Sequence, residues 1–199
     1  YNSFLNTELD WINKIPSGWK QFKNKELFEE RIERGGLASE LLSVTQDRGV
    51  IRQNEDNKKD SSNEDKSKYK RVYKGDLVYN KMRMWQGAVG YSNYNGIVSP
   101  AYVVLKPKVK TYSKFFYYLF KTEDYIQQSK RYSYGLCDDM NSLRYEDFAN
   151  MTSIAPNFER QKEIVGNFER IISTQKYLAK KQKELTTLLK PVFQGKISI

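Results

Sequence analysis

One short segment of the chain combines residue types that bind phosphate, stack on aromatic planes and read base edges. Lys81 and Arg83 supply the cations, Trp85 an aromatic plane and Gln86 an amide, while Asn80 adds a second amide just before them. Lys and Arg contact phosphate or guanine, and the amides of Asn and Gln offer a paired donor and acceptor to adenine. The chemistry predicted for residues 80–86 is therefore contact with a nucleic acid.

A structural interpretation competes with this one. Met82, Met84 and Trp85 are also typical core residues, and the charges beside them would then simply point to water. Taken alone, the two interpretations are evenly matched. The surrounding charge favours recognition, because residues 69–135 hold 12 Lys and Arg against three acidic residues. The whole chain has a net charge of +10, which suits an anionic partner or a merely soluble basic surface.

Two further clusters place cations beside tyrosines. The first lies before Gly135, and its candidate DNA-binding residues are Lys130, Arg131, Tyr132 and Tyr134. The second spans residues 68–71 and adds Arg71 to the candidates. Basic patches interleaved with aromatic residues suit nucleic acids, although each cluster alone is weak evidence. For residues 68–71 a solvated surface is the favoured interpretation.

Catalytic chemistry is poorly supported. The 199 residues include no histidine and one cysteine, Cys137, which argues against histidine acid–base catalysis, zinc and disulfides. The acidic pairs at 138–139 and 146–147 suit turns and helix caps better than a metal. No motif for a nucleotide or a methyl donor is present, so we expect no catalytic residue, metal or cofactor. Without a long apolar run or a signal peptide, we expect a cytoplasmic protein and no membrane partner.

The elements that would position these residues indicate an α+β fold, a small domain with a twisted sheet and short helices. Strands at 76–79 and 87–91 flank residues 80–86, which we call the candidate loop. Other strands are predicted at 19–22, 41–45, 96–105 (bent at Pro100) and 151–155, with a turn at 15–19. Helices are predicted at 25–34, 113–121, 123–130 and 144–148. The polar residues 54–68 predict a loop or linker.

A heptad stripe begins after Pro156. Its members, at alternating spacings of four and three, are Ile164, Phe168, Ile171, Gln175, Leu178, Gln182, Leu185, Leu189 and Val192. This period predicts a long coiled-coil helix ended by Pro191 and Gly195. The open alternative is an amphipathic helix folded against the domain. We accordingly divide the chain into a recognition domain, 1–156, and a long helical region, 157–199.

These motifs resemble the specificity (S) subunit of type I restriction–modification enzymes along essentially the whole chain. The stretches 75–90 and 96–102 resemble its central blocks, and 11–19 the opening of a target-recognition domain. Residues 144–148 and 155–164 resemble the passage into its conserved helix. The family usually has a second proline and an acidic residue there, where this chain has Asn157 and Arg160.

The resemblance implies a non-catalytic subunit that binds double-stranded DNA. A complete S subunit has two recognition domains and two conserved helices, which pair in an antiparallel coiled coil between the halves of a split DNA target. Methyltransferase (M) subunits dock on it, restriction (R) subunits join them, and these partners use the methyl donor and ATP. With one domain and one helix, this chain is expected to be half of such a subunit. Such a half is expected to be either a fragment of a longer S subunit or a natural half that forms a homodimer. The start at Tyr1 rather than Met agrees with a part of a longer protein.

Sequence-specific DNA recognition with an assembly helix is the leading hypothesis. One alternative is a coiled-coil protein-interaction module without direct DNA readout. A second is an enzyme, which the missing histidine and methyl-donor motif disfavour. The sequence does not reveal the target bases, and their choice is expected to depend partly on the loops at 54–71 and 130–135.

Overall fold

We describe the chain from a computed structural model, which describes residues 3–35, 39–53, 66–135 and 141–193; for residues 191–193 it describes only the backbone. The fold is α+β, as predicted, with antiparallel strands, short helices and one long helix. The chain divides into two compact units, residues 1–161 and 162–199. The domain division at residue 156 stays a prediction.

The described part of the first unit contains the following elements. The strands are β1 (Phe4–Leu9), β2 (Ile12–Pro16), β3 (Lys20–Lys23), β4 (Phe28–Glu30), β5 (Leu42–Thr45), β6 (Gly49–Arg52), β7 (Lys70–Val72), β8 (Leu77–Asn80), β9 (Val89–Tyr91), β10 (Gly96–Val98), β11 (Tyr102–Pro107) and β12 (Thr152–Ala155). The helices are α1 (Asn24–Leu27), α2 (Ser113–Phe120), α3 (Glu123–Arg131) and α4 (Tyr145–Asn150). The long helix α5 (Phe158–Phe193) continues into the second unit.

The candidate loop leaves and re-enters a four-stranded antiparallel sheet with the order β4-β11-β8-β9. In β8, Leu77, Val78 and Tyr79 are all buried, as expected for a short apolar run covered on both faces. Val78 lies opposite Val104 of β11 on one side and Gly90 of β9 on the other. The loop therefore starts from one of the most buried strands of the domain.

Aromatic packing fixes α2, α3 and α4 beside this sheet. Phe120 of α2 stacks on Tyr125 of α3 at 4.4 Å between ring centroids and meets Phe148 of α4 edge-on at 5.6 Å. Phe28 of β4 contacts Phe116 of α2 edge-on at 5.4 Å. Such pairs contribute about 0.5–1.5 kcal/mol each beyond their buried area. The position of α3, which carries Lys130 and Arg131, is therefore set from the core.

A buried hydrogen-bond network also holds α3. Asn24 Nδ2 donates to the hydroxyl of Tyr125 at 2.7 Å and to the carbonyl of Phe148 at 2.9 Å. Ser153 Oγ donates to Asn24 Oδ1 at 2.6 Å. Burial raises the pKa of the Tyr125 phenol, so it stays neutral. With these bonds made, the polar groups of this network do not incur the cost of an unpaired buried donor or acceptor.

The β5–β6 hairpin lies close to β9. A Cβ atom on Gly90 would lie 2.4 Å from the backbone nitrogen of Val50. Only glycine permits this approach, because real Cβ atoms do not come so near to a backbone atom. Gly90 thereby brings the turn of the hairpin toward the loop that joins β8 and β9.

The predicted helix at 25–34 is wrong. The helical turn ends at Leu27, and Phe28 starts β4, whose residues pair with β11. Phe28 is fully buried among the aromatic rings, so tertiary packing and sheet pairing override the helix propensity of the charged run.

The predicted bent strand at 96–105 is two strands. A turn at Pro100, in which the Tyr102 N–H donates to the carbonyl of Ser99 at 3.1 Å, separates β10 from β11. β10 pairs with β7, whereas β11 joins the four-stranded sheet. Proline cannot donate to a sheet ladder, and here it ends the strand rather than bending it.

The described part of the second unit is the remainder of α5. The prediction that Pro191 ends the helix is wrong, because α5 continues to Phe193. Proline removes a hydrogen bond to the preceding turn, yet its fixed φ angle is itself helical, so following residues remain in the helix. Gly195 lies outside the described residues, as do residues 54–65 of the predicted loop.

Candidate nucleic-acid interface

The loop between β8 and β9 is a closed, hydrogen-bonded frame. Asn80 Oδ1 accepts the Met82 N–H at 2.9 Å, and the Arg83 N–H donates to the carbonyl of Asn80 at 3.1 Å. Met84–Gln86 then form one turn of 3₁₀ helix. Asn80 therefore uses its side-chain oxygen to shape the turn, which leaves its amide NH₂ as its remaining donor group.

Gly87 closes this frame. Its φ angle is +76°, in the left-handed region that glycine tolerates best, and its N–H donates to the carbonyl of Met84 at 2.8 Å. A Cβ atom here would lie 3.0 Å from Cδ1 of Ile126 on α3. The glycine thus permits both the turn and the close approach of α3.

The side chains of the loop divide into an anchor and an exposed set. Met84 is fully buried, whereas Arg83 and Gln86 are exposed and Lys81 is partly buried. Met82 is 41% exposed, so the core interpretation holds for Met84 and fails for Met82. The loop therefore presents its charged and amide groups to solvent from a fixed base.

Trp85 is partly buried, and its indole N–H is already used. Nε1 donates to the carbonyl of Met82 at 2.9 Å. Since this is the only hydrogen-bond donor of the indole, Trp85 has its ring faces left for contacts. One of them is approached by a cation, because Lys130 Nζ lies 5.6 Å from the ring centroid. Such a distance is within the range of a cation–π interaction.

The structure thus brings together two clusters that are far apart in sequence. Lys130 and Arg131 are exposed at the end of α3, which packs against the 3₁₀ turn. Arg131 Nη1 donates to the carbonyl of Asp10 at 3.2 Å. Tyr132 is partly buried and Tyr134 is 68% exposed.

A backbone bridge links this second cluster to the loop. Tyr134 and Ser142 exchange hydrogen bonds of 3.2 and 3.0 Å, and the Leu143 N–H donates to the carbonyl of Lys81 at 2.9 Å. Residues 136–140, including the acidic pair at 138–139, lie outside the described residues. The other acidic pair, Glu146 and Asp147, occupies the first turn of α4, as predicted for helix-cap acids.

The third cluster, residues 68–71, belongs to the frame of the domain. Tyr69 is 6% exposed, and Lys70 Nζ binds Glu30 Oε1 at 2.7 Å and the carbonyl of Tyr102 at 3.1 Å. The expectation of a solvated surface is wrong for these two residues, because β7 pairs with β10 and packs into the core. Arg71 Nε donates to the carbonyl of Arg34 at 3.1 Å, in a sheet other than that of the loop.

Sequence reasoning missed two residues at the loop, Gln46 and Lys121. Gln46 Nε2 donates to the carbonyl of Gln86 at 3.1 Å. Lys121 Nζ donates to the carbonyl of Gly87 at 2.7 Å and also to that of Gln46. Burial lowers the pKa of Lys121, and the charge of Asp47 opposes this shift. The Asp-Arg-Gly sequence at 47–49 is a hairpin signal that would have placed Gln46 in a turn, although not beside Gln86.

The heptad residues lie along α5. Ile164 is partly buried, and exposed members of the stripe are Phe168, Ile171, Gln175, Leu178, Gln182, Leu185 and Leu189. The side chain of Val192 lies outside the described residues. An exposed stripe this long, apolar at most of its positions, is unusual for a helix without a partner. Within the described ranges, no helix is long and apolar enough to cross a membrane, and no group of three or more Cys, Asp or Glu is placed to hold a metal.

Comparison with known proteins bears on this arrangement. Two solved structures have a similar fold. The first is described as "Structural basis underlying complex assembly and conformational transition of the type I R-M system"; it is 18% identical, with a TM-score of 0.61 over 96% of this chain and 47% of that chain. The second is the HsdS subunit from Thermoanaerobacter tengcongensis, 16% identical, with a TM-score of 0.56 over 98% of this chain and 48% of that chain.

This chain therefore spans about half the length of either protein. The comparison with curated proteins gave no match. The family model described as "Type I restriction modification DNA specificity domain" matches residues 16–187, which is most of the sequence and includes both the candidate loop and the greater part of α5. The chain thus belongs to the family of type I restriction modification DNA specificity domains.

Proposed function

We propose that the chain is a non-catalytic module that recognises one half of a split DNA target in a type I restriction–modification enzyme. The observation that carries this proposal is the approach of Lys130 of α3 to Trp85, on a glycine-closed loop that also exposes Arg83 and Gln86. The loop is anchored by the buried Met84, in a domain of the DNA specificity family. A preorganised surface of this kind loses little conformational entropy on binding.

Each group has a role that suits its environment. Arg83 and Lys130 contact phosphate or guanine, and the amide of Gln86 contacts adenine. Trp85, whose N–H is engaged within the loop, stacks or wedges through its ring. Lys81, Arg131, Tyr132 and Tyr134 extend the same surface. The sequence contains no histidine, and the proposal assigns methyl transfer and cleavage to M and R subunits.

The helix supplies the second part of the proposal. Leu178 and Leu185 are 58% and 57% exposed, so the stripe lacks the burial that apolar side chains normally reach in a folded assembly. We propose that it pairs with a second conserved helix, in the same polypeptide or in a second copy. The paired helices would then carry the M and R subunits and set the spacing between two recognition domains.

The DNA-binding proposal is tested in the complex with the methyltransferase subunit. Bound duplexes are selected from a randomised pool, which also supplies the unknown target. Wild type should enrich one defined half-site, whereas Arg83→Ala and Gln86→Ala should each relax the preference at one position, with a cost of about 1–3 kcal/mol. Lys106→Ala is the matched control, since this exposed lysine pairs with Glu29 on β4. An unaltered half-site in both loop variants would refute the site assignment.

A coiled-coil interaction module without DNA readout is the second candidate, and the exposed stripe of α5 favours it. Ionic strength separates the two functions. If the loop contacts phosphates, a plot of the logarithm of the duplex affinity against the logarithm of the salt concentration should be a falling line. Its slope should be about −0.9 for each phosphate contacted. Binding to M subunits without any such salt-dependent binding to DNA would favour the second candidate.

Helix pairing has its own test. Leu178→Asp combined with Leu185→Asp should shift a dimer of the chain to monomer in sedimentation, because two charges would be buried at the seam. Leu188→Asp is the control, since Leu188 is 72% exposed and lies off the stripe. A mass that the double variant leaves unchanged would show that the stripe is not the pairing surface.

A further inference from the structure

The turn between β5 and β6 is bound directly to the candidate loop. Gln46 Nε2 lies 3.1 Å from the carbonyl oxygen of Gln86 and 3.4 Å from its side-chain Oε1. The first of these hydrogen bonds has ordinary length and the second is long. Gln46 is exposed, as are Asp47, Arg48 and Gln86. Two loops that are 40 residues apart in sequence therefore present one continuous polar surface.

Lys121 forms hydrogen bonds to both of these loops. It follows α2, and its ammonium group donates to the carbonyl of Gln46 in one loop and to that of Gly87 in the other. An ammonium group has three donors, and two are used inside the protein. Its lowered pKa, caused by burial, agrees with a group withdrawn from water. Lys121 is thus placed to hold the loops together rather than to contact phosphate.

The amide groups of Gln46 and Gln86 retain complementary capacity. Among the described residues, neither Oε1 of Gln46 nor Nε2 of Gln86 has a hydrogen-bond partner. Oε1 accepts, and Nε2 carries two donors. Adenine presents the matching pair in the major groove, with N6 as donor and N7 as acceptor. The side-by-side amides therefore offer a donor and an acceptor from two different loops.

We infer that the 46–48 turn and Gln86 form one composite base-reading surface, in which Gln46 is a specificity residue and Lys121 a positioning residue. This inference rests on the proposed DNA recognition and adds a second loop to it. A purine of the target, adenine by its donor and acceptor pattern, is the group that this surface recognises.

Base selection by variants of the two glutamines tests the surface. In the complex with the methyltransferase subunit, Gln46→Ala and Gln86→Ala should relax preference at the same or adjacent base pairs, each by about 10-fold. The double variant should lose less than the product of the two single effects, since contacting residues are coupled. Gln21→Ala, an exposed glutamine on β3, is the control. A Gln46→Ala variant with the wild-type preference at every position would overturn the inference.

Salt dependence tests the role of Lys121. Lys121→Met should reduce the ratio of specific to non-specific binding by about 10-fold, while the slope of affinity against salt stays that of wild type. Lys121→Arg should restore the ratio in part, because a guanidinium can still donate to both carbonyls. A slope reduced by about one would instead identify Lys121 as a phosphate contact and overturn its positioning role. Circular dichroism and the thermal midpoint of each variant verify that the domain is folded.

The two levels of proposal fail differently. If wild type itself binds all duplexes equally, the proposed function fails. If wild type selects a half-site that Arg83 and Gln86 variants alter and Gln46 and Lys121 variants do not, only the composite surface fails.

Discussion

Two clusters of the chain have nearly the same composition and opposite environments. Residues 68–71 and residues 130–134 both combine two or three cations with tyrosines. In the first, Tyr69 is 6% exposed; in the second, Tyr134 is 68% exposed. Lys70 of β7 binds Glu30 of β4, a strand of a different sheet, whereas Lys130 lies over the ring of Trp85. Composition alone therefore does not distinguish a structural cluster from a candidate binding surface.

Packing of a paired strand against the core accounts for the difference. Residues Lys70–Val72 form β7, which pairs with β10. Val72 and Tyr69, which directly precedes the strand, are buried in the core, whereas Lys70 and Arg71 are partly buried. Lys130 and Arg131 end α3, and Tyr134 lies just beyond the helix; these three side chains are exposed, whereas Tyr132 is partly buried. A cation next to a tyrosine is thus paired inside the fold in one place and exposed at the end of a helix in the other.

The largest expected effect is a difference in the free energy of unfolding between variants of Tyr69 and Tyr134. Tyr69→Ala should destabilise the domain by about 3–5 kcal/mol, because truncating a buried aromatic side chain leaves a cavity. Tyr134→Ala should change the free energy of unfolding by less than about 0.5 kcal/mol. Urea unfolding of the whole chain measures both. Equal losses for the two variants would mean that burial does not distinguish the clusters, and Tyr69→Phe controls for the hydroxyl.

A smaller effect is expected at Lys70. Lys70→Met removes the partner of Glu30, whose side chain is 20% exposed, and also the bond to the carbonyl of Tyr102. We expect a loss of about 1–3 kcal/mol in urea unfolding, below the ~3–5 kcal/mol of a fully buried pair because water still reaches the carboxylate. Restoring stability with Glu30→Gln in the Lys70→Met background would identify the uncompensated charge as the cause. Loss of DNA binding without loss of stability would contradict this assignment.

The comparison also shows what the sequence predicts well. The local frame of the loop follows from neighbouring residues: strands at 76–79 and 87–91, a connection between them and a glycine at the turn. The helices near 113–121 and 123–130 follow from apolar spacing and are confirmed as α2 and α3. Such features depend on contacts between residues close in sequence, which propensity and periodicity record.

Features that depend on distant residues were not predictable in this way. Lys130 meets Trp85 because buried aromatic packing and hydrogen bonds fix α3. Gln46 meets Gln86 because Gly90 admits β6 and Lys121 binds both loops. The strands β1, β2, β6 and β7 went unpredicted because they are short or polar and acquire their form from pairing. The exposure of Met82 beside the buried Met84 likewise follows from the 3₁₀ turn and not from residue type.

The next effect in size is expected at Gly87, which closes the loop between β8 and β9 and packs against α3. Gly87→Ala places a side chain at φ +76° and 3.0 Å from Ile126. We expect a loss of about 1–2 kcal/mol in stability and weaker selection of the half-site, because the loop must shift away from α3. Gly75→Ala is the control, since Gly75 has φ +102° and a Cβ atom added there would have no neighbouring atom within 4 Å. If both variants lose similar stability and DNA selection is unchanged, the role of Gly87 is only to adopt the left-handed backbone conformation.

The smallest effect on stability is expected at Lys130, and this variant tests the difference between the two clusters most directly. Lys130→Met should change the free energy of unfolding by less than about 1 kcal/mol, the scale of an exposed cation–π contact. If Lys130 contacts a phosphate, the same change should weaken binding to all duplexes about equally and reduce the salt slope by about one. Lys70→Met should leave that slope at its wild-type value once measured well below the unfolding transition. The two lysines have the same chemistry, so a change of salt slope in Lys130→Met alone would show that their environments decide which one contacts DNA. A change of salt slope in both variants would show that β7 contacts the DNA as well.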